Sequence, residues 1–202
     1  KHDEVLVRLT SSGGGAGDYG LATAQLKRLR TAGIQLTVCA DTVAASGGYM
    51  LACVANRVVA APFATIGSIG VVAGLPNFHR LIDKLDVEFT QVTAGKHKRT
   101  ANVLVPNTEE GLAKFKEDVD SMHAAFKDHV HESRPSVDIE AVSTGEAWLA
   151  VAARERNLID EVGISDDVLS AKEDEGFDIV HLRLAPRKSE VSLSLSTAGS
   201  AL

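Results

Sequence analysis

Apolar positions fall along the chain in two rhythms. Short runs rich in Val, Ile and Thr occupy residues 4–9, 34–39, 57–61, 65–73 and 87–92, the composition of half-buried or buried strands. Between them the spacing lengthens to three and four. Residues 18–32 read as a helix with Leu21, Leu26 and Leu29 on one stripe, Asp18 as its N-cap and Gly33 just past its end. Residues 46–55 are compact and Ala-containing, suited to a buried helix, and residues 77–84 form a short amphipathic one. The longest periodic stretch is 107–133. There Leu112, Phe115, Val119, Met122, Phe126 and Val130 make one apolar face, Asn107 with Glu110 opens it in the manner of a capping box, and Arg134-Pro135 ends it. A short helix over 137–142, an acidic one over 166–175 and a strand over 177–184 complete the pattern. Strands alternating with helices predict an α/β fold.

Two stretches in this frame carry chemistry. Residues 40–50 read A-D-T-V-A-A-S-G-G-Y-M, with Ser46 between a strand and a helix and two glycines behind it. A serine so placed presents its hydroxyl at an element end, beside backbone amides that no Cβ shields, which suits acyl transfer. An N-cap followed by a glycine-rich turn accounts for the same residues. Residues 93–100, T-A-G-K-H-K-R-T, gather Lys96, Lys98 and Arg99 around His97, either as a solvated loop or as a small anion-binding patch. The glycine-rich loop over 11–17 lacks the Lys-Ser or Lys-Thr of a P-loop and the downstream acidic residue of a dinucleotide site. His123, His129 and His131 lie on the long helix without a cysteine or a clustered carboxylate set, so the pattern does not specify a metal site.

Composition narrows the class. The 202 residues are 45% hydrophobic, enough for one domain with an ample core, and a net charge of −6 argues against nucleic acid as the main partner. Cys39 and Cys53 sit among apolar neighbours and read as buried thiols. Residues 58–78 hold no charged side chain and are long enough to span a bilayer. Pro62, Gly67, Gly70, Gly74 and Pro76 break them repeatedly, and two buried strands fit better. Residues 1–185 read as one domain. The chain opens directly on strand-like sequence, as an excised piece of a longer protein would, and the Ser-rich stretch 186–202 reads as a flexible tail.

The ordered set Ala44-Ala45-Ser46-Gly47-Gly48-Tyr49, Ala60-Ala61-Pro62, Ile66-Gly67-Ser68-Ile69-Gly70-Val71 and Gly95-Lys96-His97-Lys98 resembles the signal peptide peptidase family, the SppA and SohB serine proteases, and the SohB branch most closely. The resemblance covers residues 5–168. It implies a Clp protease/crotonase-like fold, a single-domain superhelix of repeated β-β-α units, and a Ser–Lys dyad with no cofactor and no metal. Carried over position by position, Ser46 is the nucleophile and Lys98, at the last position of G-x-x-K, the general base. Ser68 orients the lysine, and the amides of Gly14 and Gly47 form the oxyanion hole. A lysine acts as a base only when neutral, so the resemblance implies a buried Lys98. Ser12 stands where the family's S-P-G-G loop has proline, which loosens that turn, and Asn157 stands where the family's short helix ends in glycine, Asn being the next-best left-handed cap.

The resemblance also implies partners. These are peptide substrates such as cleaved signal peptides, further copies of the chain in a tetramer or larger ring, and a bacterial inner membrane reached through an upstream anchor, with the catalytic domain on its outer side. Three alternatives stand beside it: a Ser46–His97–Asp41 triad, an acyl-CoA enzyme of the crotonase group, and a catalytically silent membrane-associated scaffold.

Overall fold

The computed structural model describes residues 3–183. Four parallel strands form the main sheet, in the order β1 (Glu4–Arg8), β2 (Gln35–Ala40), β4 (Arg57–Ala60), β7 (Glu161–Val162). A second, smaller sheet is ordered β3 (Val43–Ala45), β5 (Thr65–Gly67), β6 (Ala147–Leu149), with β3 and β5 parallel and β6 antiparallel to β5. Only residues 41–42 separate β2 from β3 and only 61–64 separate β4 from β5, so the chain steps from the main sheet into the second within a few residues. The first strand follows the same route. After β1, Ser11 forms a parallel bridge with Ala44 before the chain enters α1 (Ala16–Thr31). The same order then recurs as β2, β3, α2 (Gly47–Ala52).

Burial explains why these segments are strands. On β2, Leu36, Val38 and Ala40 alternate into the principal core, while Cys39 points to the other face and meets Val59 and Val168. A parallel strand covered on both faces is apolar where it is covered. Val38, Cys39 and Ala40 of β2 and Val58, Val59 and Ala60 of β4 are all buried and apolar, with Gln35 and Arg57 at the less buried strand starts. The core continues through Tyr49, Cys53 and Val54 from and just after α2, Ile66 and Ile69 around β5, and Phe126 and Val130 from α4 (Glu109–Ser133). The outer face of the main sheet is closed by α7 (Ser165–Asp174) through Val168. Three short helices complete the fold: α3 (His79–Lys84), α5 (Ile139–Val142) and α6 (Ala150–Glu155). Both cysteines are buried and free, and burial pushes the Cys39 thiol up to about 11 and Cys53 to about 12.

Several expectations are corrected. Helix α1 begins at Ala16 with Gly15 as its N-cap, so Asp18 lies in its first turn, and Leu21 is exposed while Thr23, Leu26 and Leu29 face inward. The strand expected over 65–73 stops at Gly67, because Gly67 (φ +110°) and Ser68 (φ +52°) turn the chain away and the Ser68 amide donates to Glu146 O (2.6 Å). Residues 87–92 form no strand. They lie exposed with no neighbouring strand among the described residues, and β propensity needs such a neighbour to act on. Residues 177–183 are likewise irregular, and the expected tail over 186–202 lies outside the described residues. Helix α4 is capped by Thr108, whose hydroxyl accepts from the Gly111 amide (3.0 Å), while Asn107 accepts from the Asn102 amide (2.7 Å). Residues 58–78 run through β4, β5 and irregular chain, and no described helix is long and apolar enough to cross a membrane.

Candidate active site

Ser46 sits between β3 and α2 on a turn with no slack. Its φ is +53° with ψ −123°, a backbone conformation that a residue with a Cβ rarely adopts and that costs about 1–3 kcal/mol. Three hydrogen bonds impose it. The Ala45 amide donates to Ser11 O (3.0 Å), the Ser46 amide to Gly67 O (2.8 Å), and Ser46 O accepts from the Met50 amide (3.0 Å). A sharp strand-to-helix turn of this kind lifts a side chain clear of both elements. The Ser46 side chain has no hydrogen-bond partner among the described residues, and the residue is half-buried at a cavity wall.

The glycine-rich loop lies against this turn. A Cβ on Gly13, whose φ is +100°, would fall 2.8 Å from both the Ser46 Cβ and the Gly47 nitrogen, so only glycine permits the approach. Tyr19, from the first turn of α1, packs onto both glycines proposed from the resemblance. A Cβ added at Gly14 or Gly47 would stand 2.8 or 2.6 Å from its ring. Its hydroxyl donates to Gly13 O (3.1 Å) and lies 2.6 Å from Ser11 Oγ, which in turn accepts from the Gly13 amide (3.2 Å).

Ser46, Gly14 and Gly47 line one cavity of about 190 Å³, with Met50, Val71, Val72, Met122 and Phe126 as its apolar wall. The two methionines of the chain therefore both face this space. A second, more open cavity of about 540 Å³ adjoins it, with Val72 bordering both, and Lys98, Arg99, Leu75 and Phe115 lie along its wall. Ser68 is close to Ser46 through the backbone, since the Ser46 amide bonds the carbonyl of the peptide that leads into Ser68.

The lysines of the basic stretch differ in what they touch. Lys96 pairs with Glu110 in the first turn of α4 (2.7 Å). Lys98 has no side-chain partner among the described residues and is exposed, contrary to the burial expected of it. No hydrogen bond joins Lys98 to Ser46 or Ser68 in the single chain. The reason is local: residues 85–107 form no helix or strand and pack little onto the core. Asp41, the carboxylate of the alternative triad, is engaged elsewhere. It accepts from the Ser165 amide (2.8 Å) and hydroxyl (2.6 Å) at the start of α7, with Arg8 3.7 Å away. Burial raises its affinity for a proton, but the Ser165 hydrogen bonds and Arg8 outweigh that and hold it below the usual carboxylate range.

The helix that follows Ser46 is fixed from behind. The buried Tyr49 hydroxyl donates to Leu158 O (2.8 Å), and the segment carrying Leu158 is held by Arg134. That guanidinium donates to Asn157 O (2.8 Å) and forms a fork with Asp160 (3.1 and 2.7 Å). Asp160 also accepts from the Val58 amide (2.7 Å). Burial works to raise the Asp160 pKa, but the Arg134 and Val58 hydrogen bonds prevail and lower it. Asn157 turns the chain at φ +60°, the left-handed cap expected of it. His129 of α4 ties α2 one residue further on than Tyr49, with Nε2 3.1 Å from Met50 O and Nδ1 3.3 Å from Lys27 Nζ. Among the described residues no group of three or more His, Cys, Asp and Glu side chains is placed to hold a metal ion.

Tyr19, Met50 and Met122 are the site residues that the sequence pattern does not single out. Nothing local distinguishes Tyr19 from any aromatic early in a helix, whereas the methionines could have been noticed as the only two in the chain.

Residues 28–177 match peptidase family S49. The chain is 50% identical over 188 residues to the probable protease SohB of Buchnera aphidicola subsp. Acyrthosiphon pisum, covering 93% of this chain and 56% of that protein. It is 52% identical over 170 residues to the probable protease SohB of Haemophilus influenzae, covering 84% and 48%. Similarity extends to the chloroplastic serine protease SPPA of Arabidopsis thaliana, at 31% identity over 166 residues, 81% of this chain and 24% of that protein. The chain spans about half the length of the SohB relatives it matches.

Proposed function

Because the chain belongs to peptidase family S49, we propose that it is a serine peptidase in which Ser46 is the nucleophile and Lys98 the general base. Ser68 is the lysine's partner, and the Gly14 and Gly47 amides receive the oxyanion. The observation that carries this reading is the strained Ser46 turn with both glycines on the wall of the same cavity. Ser46 Oγ attacks the scissile carbonyl carbon as its proton passes to the Lys98 amine. The carbonyl π pair moves onto oxygen and is received by the two amides. Collapse expels the amine product, which takes the proton back from Lys98, and leaves an acyl group on Ser46. Water then repeats the sequence to release the acid.

The apolar wall formed by Met50, Val71, Val72, Met122 and Phe126 suits an apolar side chain before the cut bond, in keeping with signal peptides or other membrane-derived peptides as substrates. The repeated order of strand, short second strand and helix in β1–Ser11–α1 and β2–β3–α2 supports the Clp/crotonase superhelix as the fold type.

Assembly completes this reading. Val72, Leu75, Phe78, Leu81, Leu85, Phe89 and Val92 are all exposed along residues 71–92, a run of open apolar side chains of the kind that marks an interaction surface. A second copy of the chain covers that surface, in a tetramer or larger ring, and gives Lys98 the dry surroundings a lysine base needs.

The test is kcat/KM on apolar fluorogenic peptides, with light scattering of the same samples. Ser46→Ala, Lys98→Ala and Lys98→Arg are expected to lose at least about 10³-fold while staying folded, since arginine keeps its proton at any working pH. His97→Ala is expected to keep more than half. An active Lys98→Ala, or a folded but inactive His97→Ala, overturns the dyad. A fully active monomer overturns the assembly.

A further inference from the structure

The Gly13–Gly14 peptide carries one of the two amides assigned to the oxyanion, and it is the least restrained peptide type a chain can offer. Neither residue has a side chain to hinder rotation, Gly13 already stands at φ +100°, and the proline that the resemblance leads one to expect beside it is Ser12. Something else has to hold the plane. The carbonyl of this peptide accepts from the Tyr19 hydroxyl at 3.1 Å. No peptide bond among the described residues is cis, and across a trans peptide the carbonyl and the N–H project in opposite directions. Fixing Gly13 O toward Tyr19 therefore fixes the Gly14 N–H on the opposite side.

The hydrogen bonds around it run in one sense. The Tyr19 proton goes to Gly13 O, the Ser11 hydroxyl proton goes to the Tyr19 oxygen at 2.6 Å, and Ser11 Oγ accepts from the Gly13 amide at 3.2 Å. Ser11 is itself tied into the second sheet, its amide donating to Val43 O (2.9 Å) and its carbonyl accepting from Ala45 (3.0 Å). The network thus refers the loop to β3, the strand that delivers Ser46. The ring adds a second restraint, lying against the Cα positions of Gly14 and Gly47 so closely that neither would admit a Cβ.

We propose that Tyr19 is a positioning residue for the oxyanion hole. Its hydroxyl holds the Gly13–Gly14 peptide in the orientation that aims the Gly14 amide at the developing oxyanion, and its ring sets the spacing between the Gly14 and Gly47 donors. This rests on the reading of Ser46 as nucleophile. Tyr19 acts through the backbone and donates nothing to the substrate.

The test uses the full chain with Tyr19→Phe, which keeps the ring and deletes the hydroxyl, and Ser11→Ala, which keeps both ring and tyrosine hydroxyl and deletes the relay. Removing an oxyanion donor outright costs about 10²–10³-fold in kcat. A donor left in place but free to turn over costs less, so Tyr19→Phe is expected to lower kcat about 10–100-fold with KM within about twofold. The double variant is expected to lose less than the product of the two single losses, because the Tyr19 and Ser11 hydroxyls belong to one network. A fluorophosphonate probe run on the wild type in parallel reports the nucleophile independently. If the wild type is labelled at Ser46 and Tyr19→Phe retains kcat within about twofold, the positioning role is overturned while the nucleophile stands. If Tyr19→Phe loses thermal stability but each folded molecule turns over normally, the residue is structural only and the proposal fails. If the wild type cleaves peptide without any adduct at Ser46, the nucleophile reading falls and takes this one with it.

Discussion

Gly48→Ala sets two effects of opposite sign against each other at the site. Gly48 lies inside α2, where alanine is favoured over glycine by about 1 kcal/mol. On propensity alone the substitution stabilises. The structure reverses the sign. A Cβ on Gly48 would collide with the Ser11 carbonyl oxygen and lie 3.0 Å from its carbon and 3.1 Å from its Cβ. Carbon atoms pack at about 3.5–4.0 Å, so the Ser11 backbone has to retreat by roughly 0.5–1 Å. That backbone is no free loop, because its carbonyl holds the Ala45 amide and its amide holds Val43 O. Overpacking of this kind costs about 1–3 kcal/mol, which exceeds the propensity gain and leaves a net loss of about 0–2 kcal/mol. The kinetic effect is larger than the stability effect. Ser11 positions both the turn before Ser46 and the loop carrying Gly14, and a displacement of about 1 Å at a reacting group costs on the order of 10²-fold. The assay is kcat/KM on an apolar fluorogenic peptide beside a thermal melt. The expected result is a folded protein with a melting point within a few degrees of wild type and at least about tenfold lower kcat/KM. A Gly48→Ala enzyme that is both more stable and fully active refutes the argument that Ser11 and the Ser46 turn are rigidly coupled.

The Arg134–Asp160 pair should respond asymmetrically. Asp160→Ala strands a guanidinium only 9% exposed, whereas Arg134→Met leaves a carboxylate that is 40% exposed and still holds the Val58 amide. Discounting the usual 3–5 kcal/mol for a broken buried pair because water reaches Asp160, the first costs about 2–3 kcal/mol and the second about 1. For a chain of this size that is about 5–10 °C against 2–4 °C in the melting point, and equal losses contradict the burial argument. Because the folded Asp160 has its pKa lowered, the stability it contributes is present above the unfolded value near about 3.9 and is lost as pH falls through the folded one. Denaturant midpoints of Asp160→Asn are therefore expected to lose less than wild type between about pH 4 and 2.

His129 acts at milder pH. Burial lowers its pKa, the bond to Met50 O opposes that, Lys27 adds to it and Glu132 opposes it. The unfolded chain binds the proton more readily, so this contribution is complete above about pH 6.5 and declines as pH drops toward the folded value. His129→Gln, which keeps an amide donor for Met50 O, is expected to flatten the melting curve's slope between about pH 5 and 7, and an unchanged slope contradicts the assignment.

The sequence made some of this visible for definite reasons. Ser46 stood out because two glycines behind a serine between apolar runs leave few structural options. Strands β2 and β4 stood out because their buried positions, Leu36, Val38, Cys39 and Ala40 in one and Val58, Val59 and Ala60 in the other, form short apolar runs. Strands β3, β6 and β7 are three, three and two residues long, too short for an alternation to register. They exist because Ser11, Thr65 and Val59 offer partners from elsewhere in the chain. Leu21 fell on the predicted stripe yet lies in water, because α1 meets the core through Thr23, Leu26 and Leu29. Tyr19 illustrates the general limit. Its contacts are made where α1, the glycine loop and the Ser46 turn converge, and no spacing along the chain encodes that meeting. Lys98 was legible as a motif position but not in its surroundings, since the burial of a loop depends on what packs over it.

The most direct measurement is mass-spectrometric mapping of the fluorophosphonate adduct on the full chain, using a preparation shown to cleave peptide. The expected result is a single phosphonylated residue, Ser46, whose loss of activity follows the extent of labelling. Complete peptidase activity with Ser46 unmodified, or inactivation through an adduct on any other residue, contradicts the assignment of Ser46 as the nucleophile.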